Sequence, residues 1–340
     1  MRYYAGVDLH STNHYLAIQD ETGRVVAQAR LPNEAGATQR ALAPFAGELA
    51  GVAVESTYNW YWLVDALQAA GHRVHLANPS AMQKYTGLKH ANDASDAVWL
   101  GELLRLGILP EGYIYPAAQR PVRDLLRRRL RLVQQRTALI HALQGVVERS
   151  TGRRLSAADI KATSADRVQP LLPAGAEDLR RQGQVLKACI DFFGVQIRGL
   201  EAQIGERMAG RDDTARLEQI PGIGRILALT LVLESGPMSR FPRVGHYASY
   251  CRRVPSRWSS NDKTKGQGNR KNGNAYLAWA YGEAAMMLRR YCPAAQRYYQ
   301  RKAARRHPCV AHAALSHKLS RAVYYVLRDG VAFDPGKLFR

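Results

Sequence analysis

Cysteine is scarce. Four residues (Cys189, Cys251, Cys292 and Cys309) are scattered over 340 positions, which excludes a disulfide framework and fits a reducing compartment, the cytosol. Long apolar runs are absent as well. None approaches the ~18 residues of a membrane-spanning helix, and the chain opens on a strand pattern rather than on the apolar core of a signal peptide, so no membrane partner is expected. Acidic residues are missing from one part of the chain. Residues 1–112 carry 8 Lys/Arg against 11 Asp/Glu, a net of −3, whereas residues 113–340 carry 41 against 17, a net of +24. Such an imbalance points to a polyanion, nucleic acid first, with a basic surface kept for solubility as the bland alternative. A zinc site is poorly supported. Cys309 and His312 have CxxH spacing, with His307, His317 and Cys292 nearby, but the second paired-ligand motif of a structural zinc site is lacking.

What is present is a set of four carboxylates. Asp8 ends the apolar run Tyr3-Tyr4-Ala5-Gly6-Val7, and Glu55 ends Gly51-Val52-Ala53-Val54. Asp93 and Asp96 stand three apart at the start of a helical pattern. Carboxylates at the ends of buried strands are costly unless their charge is compensated, and a divalent cation is the usual compensation. Hard oxygen ligands suit Mg2+, and a pair of such ions suits phosphoryl transfer. The alternative for Asp93 and Asp96 is a helix cap and a solvated first-turn charge.

The first 112 residues alternate in a definite order. Strands are expected at Tyr3–Leu9, Tyr15–Gln19 and Arg24–Leu31, then a helix over about Glu34–Leu49 capped by Asn33. Strand Gly51–Glu55, helix Trp60–Ala70, strand Arg73–Ala77 and a helix from Asp93 to about Leu106 follow. Three meandering strands and then α/β units is the layout of the RNase H-like fold. That layout sets the first and fourth strands side by side, with Asp8 next to Glu55.

Residues 113–210 read as two long helices forming a coiled-coil hairpin, the first to about Arg149 and the second over Glu177–Ala209. Arg127, Arg128, Arg129 and Arg131 crowd the first helix with only Asp124 as a nearby acid. The crowding favours contact with DNA or RNA over a merely solvated face.

Residues 211–340 read as a third, mainly helical domain. Ile220-Pro221-Gly222-Ile223-Gly224 has the form of a helix-hairpin-helix, in which Gly222 and Gly224 would let backbone N–H groups approach a phosphate; a plain turn between packed helices is the alternative. Between Arg252 and Asn274 stand seven basic residues, among them Arg257, Lys263, Lys265, Arg270 and Lys271, against one acid. Gly, Asn and Ser dominate the rest, so the segment reads as a phosphate-handling loop. A serine there could attack phosphorus, because neighbouring cations stabilise the developing charge. The loop holds no histidine, His246 being the nearest, so a base or a metal must come from elsewhere.

The chain resembles the DEDD-type transposases of insertion-sequence family one-ten, the bridge-RNA-guided recombinases. The resemblance rests on Gly6-Val7-Asp8, Val54-Glu55-Ser56-Thr57, Asn92-Asp93-Ala94-Ser95-Asp96-Ala97, Ile220-Pro221-Gly222-Ile223-Gly224 and the loop Pro255–Asn274 leading into Tyr276-Leu277. It implies a RuvC-like N-terminal domain in which Asp8, Glu55, Asp93 and Asp96 hold Mg2+, and a transposase domain whose catalytic serine matches Ser260. Ser260-Asn261 replaces the commoner Ser-Gly, and Ser259 offers a second hydroxyl. The resemblance further implies a covalent 5′-phosphoserine intermediate, a homodimer or homotetramer, and a bacterial, nucleoid-associated setting. Its partners would be donor and target DNA and an element-encoded guide RNA. Competing readings are a RuvC-like junction resolvase acting through water alone, and an RNA-binding scaffold with a vestigial nuclease domain.

Overall fold

The computed structural model describes residues 1–82, 93–164, 168–254, 257–261, 263–267 and 272–339, with the side chains of 169, 257–260 and 264–267 outside that description. Two compact units result, one built on Met1–Ala118 and the other on Gln119–Gly268 with Gly273–Arg340. Among the described residues no helix is long and apolar enough to cross a membrane.

The first unit is a mixed sheet with helices on both faces. Strands β1 (Tyr3–Leu9), β2 (Asn13–Asp20) and β3 (Val25–Pro32) lead through helix α1 (Ala35–Leu42) to β4 (Leu49–Glu55). Helix α2 (Tyr61–Ala69), strand β5 (Val74–Ala77), the single turn α3 (Pro79–Met82) and helix α4 (Asp93–Arg105) follow. The sheet order is β3-β2-β1-β4-β5. β1 pairs antiparallel with β2, and β2 with β3, while β4 runs parallel to both β1 and β5. Strand alternation divides the core. Ala5, Val7, Leu16, Ile18, Val52 and Val54 pack with Leu42, Leu63, Val64 and Leu67 of α1 and α2, and Ala53 and Ala77 pack on Leu100 of α4. The α4 face therefore also receives Gly6 and Asp8 from β1 and Glu55 from β4.

Local chemistry shortens one predicted element. α1 ends at Leu42, and a 3-10 turn over Ala43–Phe45 replaces its expected continuation to Leu49. Pro44 has no N–H to offer an α-helix there. Glu34, not Asn33, takes the N-cap position. Asn33 is engaged elsewhere: its Nδ2 donates to the His10 carbonyl at 3.0 Å and its Oδ1 faces His14 Nδ1 at 3.1 Å.

The second unit starts with α5 (Arg120–Thr151) and, after the short α6 (Ala157–Ala162), α7 (Glu177–Arg207). α5 and α7 run antiparallel. Val122 and Leu126 near the start of α5 meet Ile204 and Met208 at the end of α7, and Leu143 and Val147 meet Ile190. Gly152 in the left-handed region closes α5, and a Ser156–Asp159 capping box starts α6. Helices α8 (Asp212–Glu218), α9 (Arg225–Ser235) and α10 (Val244–Tyr250) lead to a two-stranded ribbon, β6 (Arg257–Ser260) and β7 (Lys263–Gln267). Helices α11 (Ala275–Tyr291), α12 (Pro293–Ala303), α13 (Pro308–Asp329) and α14 (Pro335–Leu338) complete the unit. Its core holds the fully buried Tyr247, Tyr281 and Tyr324, whose hydroxyls are satisfied by Ser235, by one another and by the Phe241 carbonyl.

The ribbon corrects the expectation of a plain loop between Arg252 and Asn274. Ser260 pairs with Lys263 across it, and Asn261 sits in the left-handed region at φ 56°, the conformation a tight hairpin turn requires.

Candidate active site

Helix α4 carries two of the four carboxylates, and glycine sets how closely it lies on the sheet. A Cβ on Gly6 would stand 2.0 Å from the Ala97 carbonyl oxygen and 2.5 Å from the Gly101 nitrogen. Side chains from the sheet hold the helix from the other direction: Gln19 Nε2 donates to the Val98 carbonyl at 3.1 Å and Gln28 Nε2 to the Ala94 carbonyl at 3.2 Å. β1 and α4 thus deliver Asp8 and Asp93, 85 positions apart, to one place.

The convergent group is Asp8, His10 and Asp93, whose ligand atoms all lie within 4.8 Å of one another. His10 Nε2 is 3.2 Å from Asp8 Oδ2 and 3.4 Å from Asp93 Oδ2, yet that nitrogen is buried and has no hydrogen-bond partner. Asp8 is nearly fully buried and Asp93 half-exposed. Two carboxylates converge on an imidazole nitrogen that is not hydrogen-bonded to either of them. This donor set fits a divalent cation. Glu55, last in β4 and on the same sheet face, and Asp96, one helical turn after Asp93, are not members of this group.

His10 is the residue that a search for acids alone overlooks. Its signal was the period of two after Asp8, which at a strand end returns a side chain to the same face. Its backbone is fixed from several sides. The His10 carbonyl accepts from Asn33 Nδ2 and, at 2.9 Å, from Asn59 Nδ2, and its N–H donates to the Asn13 carbonyl. Thr57 in turn donates to Asn59 Oδ1 at 2.8 Å. Behind Asn33, His14 is fully buried. Because Asn33 Oδ1 can only accept, His14 Nδ1 donates to it and Nε2 accepts from Thr38 Oγ1 at 2.9 Å. Burial lowers the pKa of His14 against the opposing hydrogen bond to Asn33, which keeps this ring neutral.

In the second unit the basic ribbon rises from a clamped base. Asn274 N donates to the Tyr250 carbonyl at 2.6 Å, and the Arg252 guanidinium donates to the Gly273 carbonyl at 2.9 Å. Gly273, at φ 80°, is required there, since a Cβ would meet the Tyr250 oxygen at 2.6 Å. Asn274 also caps α11 and donates from Nδ2 to Glu234 Oε2 at 2.7 Å. Glu234, 1% exposed, receives Arg123 Nε at 3.1 Å and Arg127 at 2.5 and 2.8 Å. Burial alone would raise the Glu234 pKa; the hydrogen bond from Arg127, the charges of Arg123 and Arg127, and Asn274 outweigh it and hold the carboxyl below its ordinary value. Ser260 ends β6 beside the turn; its side chain, like those of Ser259, Arg257 and Lys265, lies outside the described residues, as do Arg270 and Lys271 altogether.

The arginine face of α5 is corrected in part. Arg127 is committed to Glu234 and stacks 4.4 Å from the Tyr276 ring centroid, and Arg129 Nε donates to Glu201 at 2.7 Å. The neutralising acids lie 107 and 72 positions away in sequence. Arg128, Arg131 and, on the ribbon, Lys263 are exposed. Gly222, at φ 91°, has its Cβ position filled by Leu288 N at 2.5 Å and Met287 Cβ at 2.7 Å, so its bareness serves packing on α11, whereas Gly224 at the cap of α9 faces open space. Among the described residues Cys309 and His312 belong to no convergent ligand group. His307 Nδ1 is engaged in capping α13, accepting from Cys309 N.

Two family models match this chain in succession. A family model for DEDD transposases of the IS110 group matches residues 5–151, and one described as Transposase IS116/IS110/IS902 family matches residues 214–300. The chain is 28% identical over 296 residues to the "Probable family 20 transposase" of Pseudomonas aeruginosa, covering 84% of this chain and 86% of that protein. It is 24% identical over 291 residues to the transposase for insertion sequence element IS1111A of Coxiella burnetii, covering 84% and 78%. The first match spans the sheet, α4 and α5, and the second runs from α8 into α12 and includes the ribbon. The chain belongs to the IS110 family of insertion-sequence transposases, enzymes that cut DNA and transfer its strands.

Proposed function

We propose that this transposase is an RNA-guided recombinase that joins itself covalently to DNA through Ser260, with an RNase H-like first unit supplying the metal-binding carboxylates. The observation that carries this reading is the convergence of Asp8, His10 and Asp93 in a chain that also presents a serine at the turn of a clamped basic ribbon. The strand order β3-β2-β1-β4-β5, with β4 parallel to β1, supports the RNase H-like layout.

A divalent cation, Mg2+ in this reading, supplies when bound the positive charge that stabilises attacking and leaving phosphate oxygens. Asp8 and Asp93 bring the negative charge that holds it, and Glu55 and Asp96 add carboxylates from the adjoining strand end and helix turn. His10 brings a nitrogen ligand whose ring is oriented by Asn33 and Asn59 through the backbone. Ser260 Oγ gives up its proton and bonds to a backbone phosphorus as the bond from phosphorus to the 3′ oxygen breaks, and that oxygen departs as a 3′-hydroxyl after taking up a proton. The 5′-phosphoserine ester conserves the energy of the broken link, so a 3′-hydroxyl of another strand can reverse the step without ATP. The excess of cations in residues 113–340 suits a protein that holds nucleic-acid backbones while base pairing with an element-encoded RNA selects donor and target DNA. In the family's manner the carboxylates of one protomer serve the serine of another, making the active form a dimer or tetramer, in the bacterial cytoplasm on the nucleoid.

The test combines purified protein, flanking element RNA, labelled donor and target DNA and Mg2+ on denaturing gels with and without protease. A protease-sensitive protein–DNA adduct is expected in the parent and absent from Ser260→Ala. Free nicked DNA that persists in Ser260→Ala but disappears in Asp8→Ala would instead mark a water-using resolvase.

His10 makes a separate prediction about the metal. Imidazole nitrogen favours transition ions over Mg2+, so His10→Ala weakens Mn2+ binding by roughly tenfold or more and Mg2+ binding less. Thermal shift against metal concentration reads both, because a cation that binds the folded state raises the melting temperature by mass action. Equal losses for the two ions would remove His10 from the ligand set.

A further inference from the structure

A groove of about 1350 Å3 runs along α13 between the base of the ribbon and the C-terminal turn α14. Sites for small molecules are typically ~300–1,000 Å3, so this one has room for a segment of polymer. Its charged lining is almost entirely of one sign, Arg252, Arg253, Lys318, Arg321 and Lys337 against Asp334, with His317 beside them. Asp334 is the single acid of that lining, and its Oδ1 caps α14 by accepting from the N–H groups of Gly336 and Lys337. Among the described residues Lys318, Arg321 and Lys337 form no ion pair. Lys318 Nζ donates instead to the Leu338 carbonyl at 2.6 Å. Burial first, then the charges of Arg321 and Lys302, lower the Lys318 pKa, and burial with Arg321 and Lys318 does the same to His317 against its hydrogen bond to the Arg253 carbonyl. Lys318, Arg321 and Lys337 thus bring like charges together along the groove with no ion pair among the described residues, which is the electrostatic condition of an anion site.

The remaining lining is apolar and aromatic. Tyr325 and Val310 are exposed, and Phe333 and Tyr298 half-buried, along the same groove. Cations that follow a backbone, interleaved with rings on which bases can stack, are the two components of single-strand recognition. A double helix presents its phosphates on a convex surface and keeps its bases inside, so the aromatic lining would go unused. The position is also informative. Arg252 and Arg253 line the groove, and Arg257 opens β6 four residues after Arg253. A strand lying here ends at the foot of the ribbon that carries Ser260.

We propose that the groove along α13 is a binding site for single-stranded DNA, holding a strand adjacent to the ribbon. The inference rests on the chain handling DNA strands and not on the identity of the nucleophile, so its test is a binding measurement made without metal or cleavage. Full-length protein in EDTA is titrated into a fluorescent oligothymidylate of about 20 nucleotides, longer than the ~4–16 nucleotides of a single-strand site, and anisotropy is followed over a range of salt. The double variant Arg321→Glu/Lys337→Glu changes two exposed residues and is expected to keep the parent melting temperature. Its affinity is expected to fall at least about tenfold, and the dependence of log K on log salt to flatten by roughly 1.4, two phosphate contacts at about 0.7 each. Tyr325→Ala is expected to weaken binding by about fivefold or more while leaving the salt slope unchanged. The charge-matched control Arg153→Glu/Arg154→Glu, on exposed residues just after α5, should lose much less. Parent affinity in the groove variant, or an equal loss in the control, would overturn the proposal. So would preferential loss of an oligouridylate or of a duplex of the same length, which would assign the groove to RNA or to double-stranded DNA instead.

Discussion

Gly6→Ala is expected to abolish the metal response of the first unit and to reduce DNA cleavage by about 100-fold or more, the scale of a ~1 Å displacement in an active site. The new methyl would stand 2.0 Å from the Ala97 carbonyl oxygen and 2.5 Å from the Gly101 nitrogen. Both are backbone atoms of α4, so no side chain can swing aside. Restoring ordinary contact at about 3.5 Å requires the helix to retreat from the sheet by roughly 1–1.5 Å. That movement pulls on the hydrogen bonds from Gln19 and Gln28 to α4 carbonyls and carries Asp93 away from Asp8 and His10. Overpacking of this kind costs ~1–3 kcal/mol, and the upper end applies where the obstruction is main chain. Gly47→Ala is the matched control: nothing lies within 4 Å of its Cβ position, so melting temperature and cleavage stay at parent values. If Gly6→Ala keeps the parent melting temperature and its upward shift with metal, the close approach of α4 does not set the site.

The strands of the first unit were legible because their evidence is local. Tyr3–Leu9 is β1 as read, and β4 and β5 each differ by one or two residues at an end. The layout expected from their order also set β1 beside β4, as the sheet has them. What could not be read was the geometry of contact between distant segments. Gly6 looks like one residue of an apolar run until α4, some ninety positions later, is seen lying on it. Arg127 and Arg129 looked unneutralised because the sequence window held only Asp124, while Glu234 and Glu201 approach from other helices. The basic segment read as a loop because its composition is polar and rich in glycine, and only the pairing of Ser260 with Lys263 reveals strands. His10 differs from these cases, since its spacing of two from Asp8 is a local signal that the sequence carries.

Glu234→Ala is expected to be the most destabilising single change in the second unit, and to suppress formation of the protein–DNA adduct. The carboxylate is 1% exposed and joins Arg123 and Arg127 of α5 to Asn274 at the foot of the ribbon. Removing it takes the compensating charge from two guanidiniums, one of them, Arg123, itself buried, and breaking such a pair typically costs ~3–5 kcal/mol. Asn274 loses a partner in the same step, so the clamp formed by Asn274 with Tyr250 and by Gly273 with Arg252 loosens where Ser260 depends on it. Glu234→Gln keeps the volume and one acceptor oxygen, and a smaller loss is expected. The pH dependence separates charge from shape. The folded-state pKa of Glu234 is held below its ordinary value of 4.5, so its contribution to stability is complete above that pH and is lost as pH falls through the lower, folded value. In Glu234→Gln that part of the acid-induced drop in melting temperature should disappear, while other carboxylates retain theirs. A parent-like acid profile in Glu234→Gln, together with parent stability in Glu234→Ala, would show that the buried pair contributes nothing and that the ribbon is held by its backbone contacts alone.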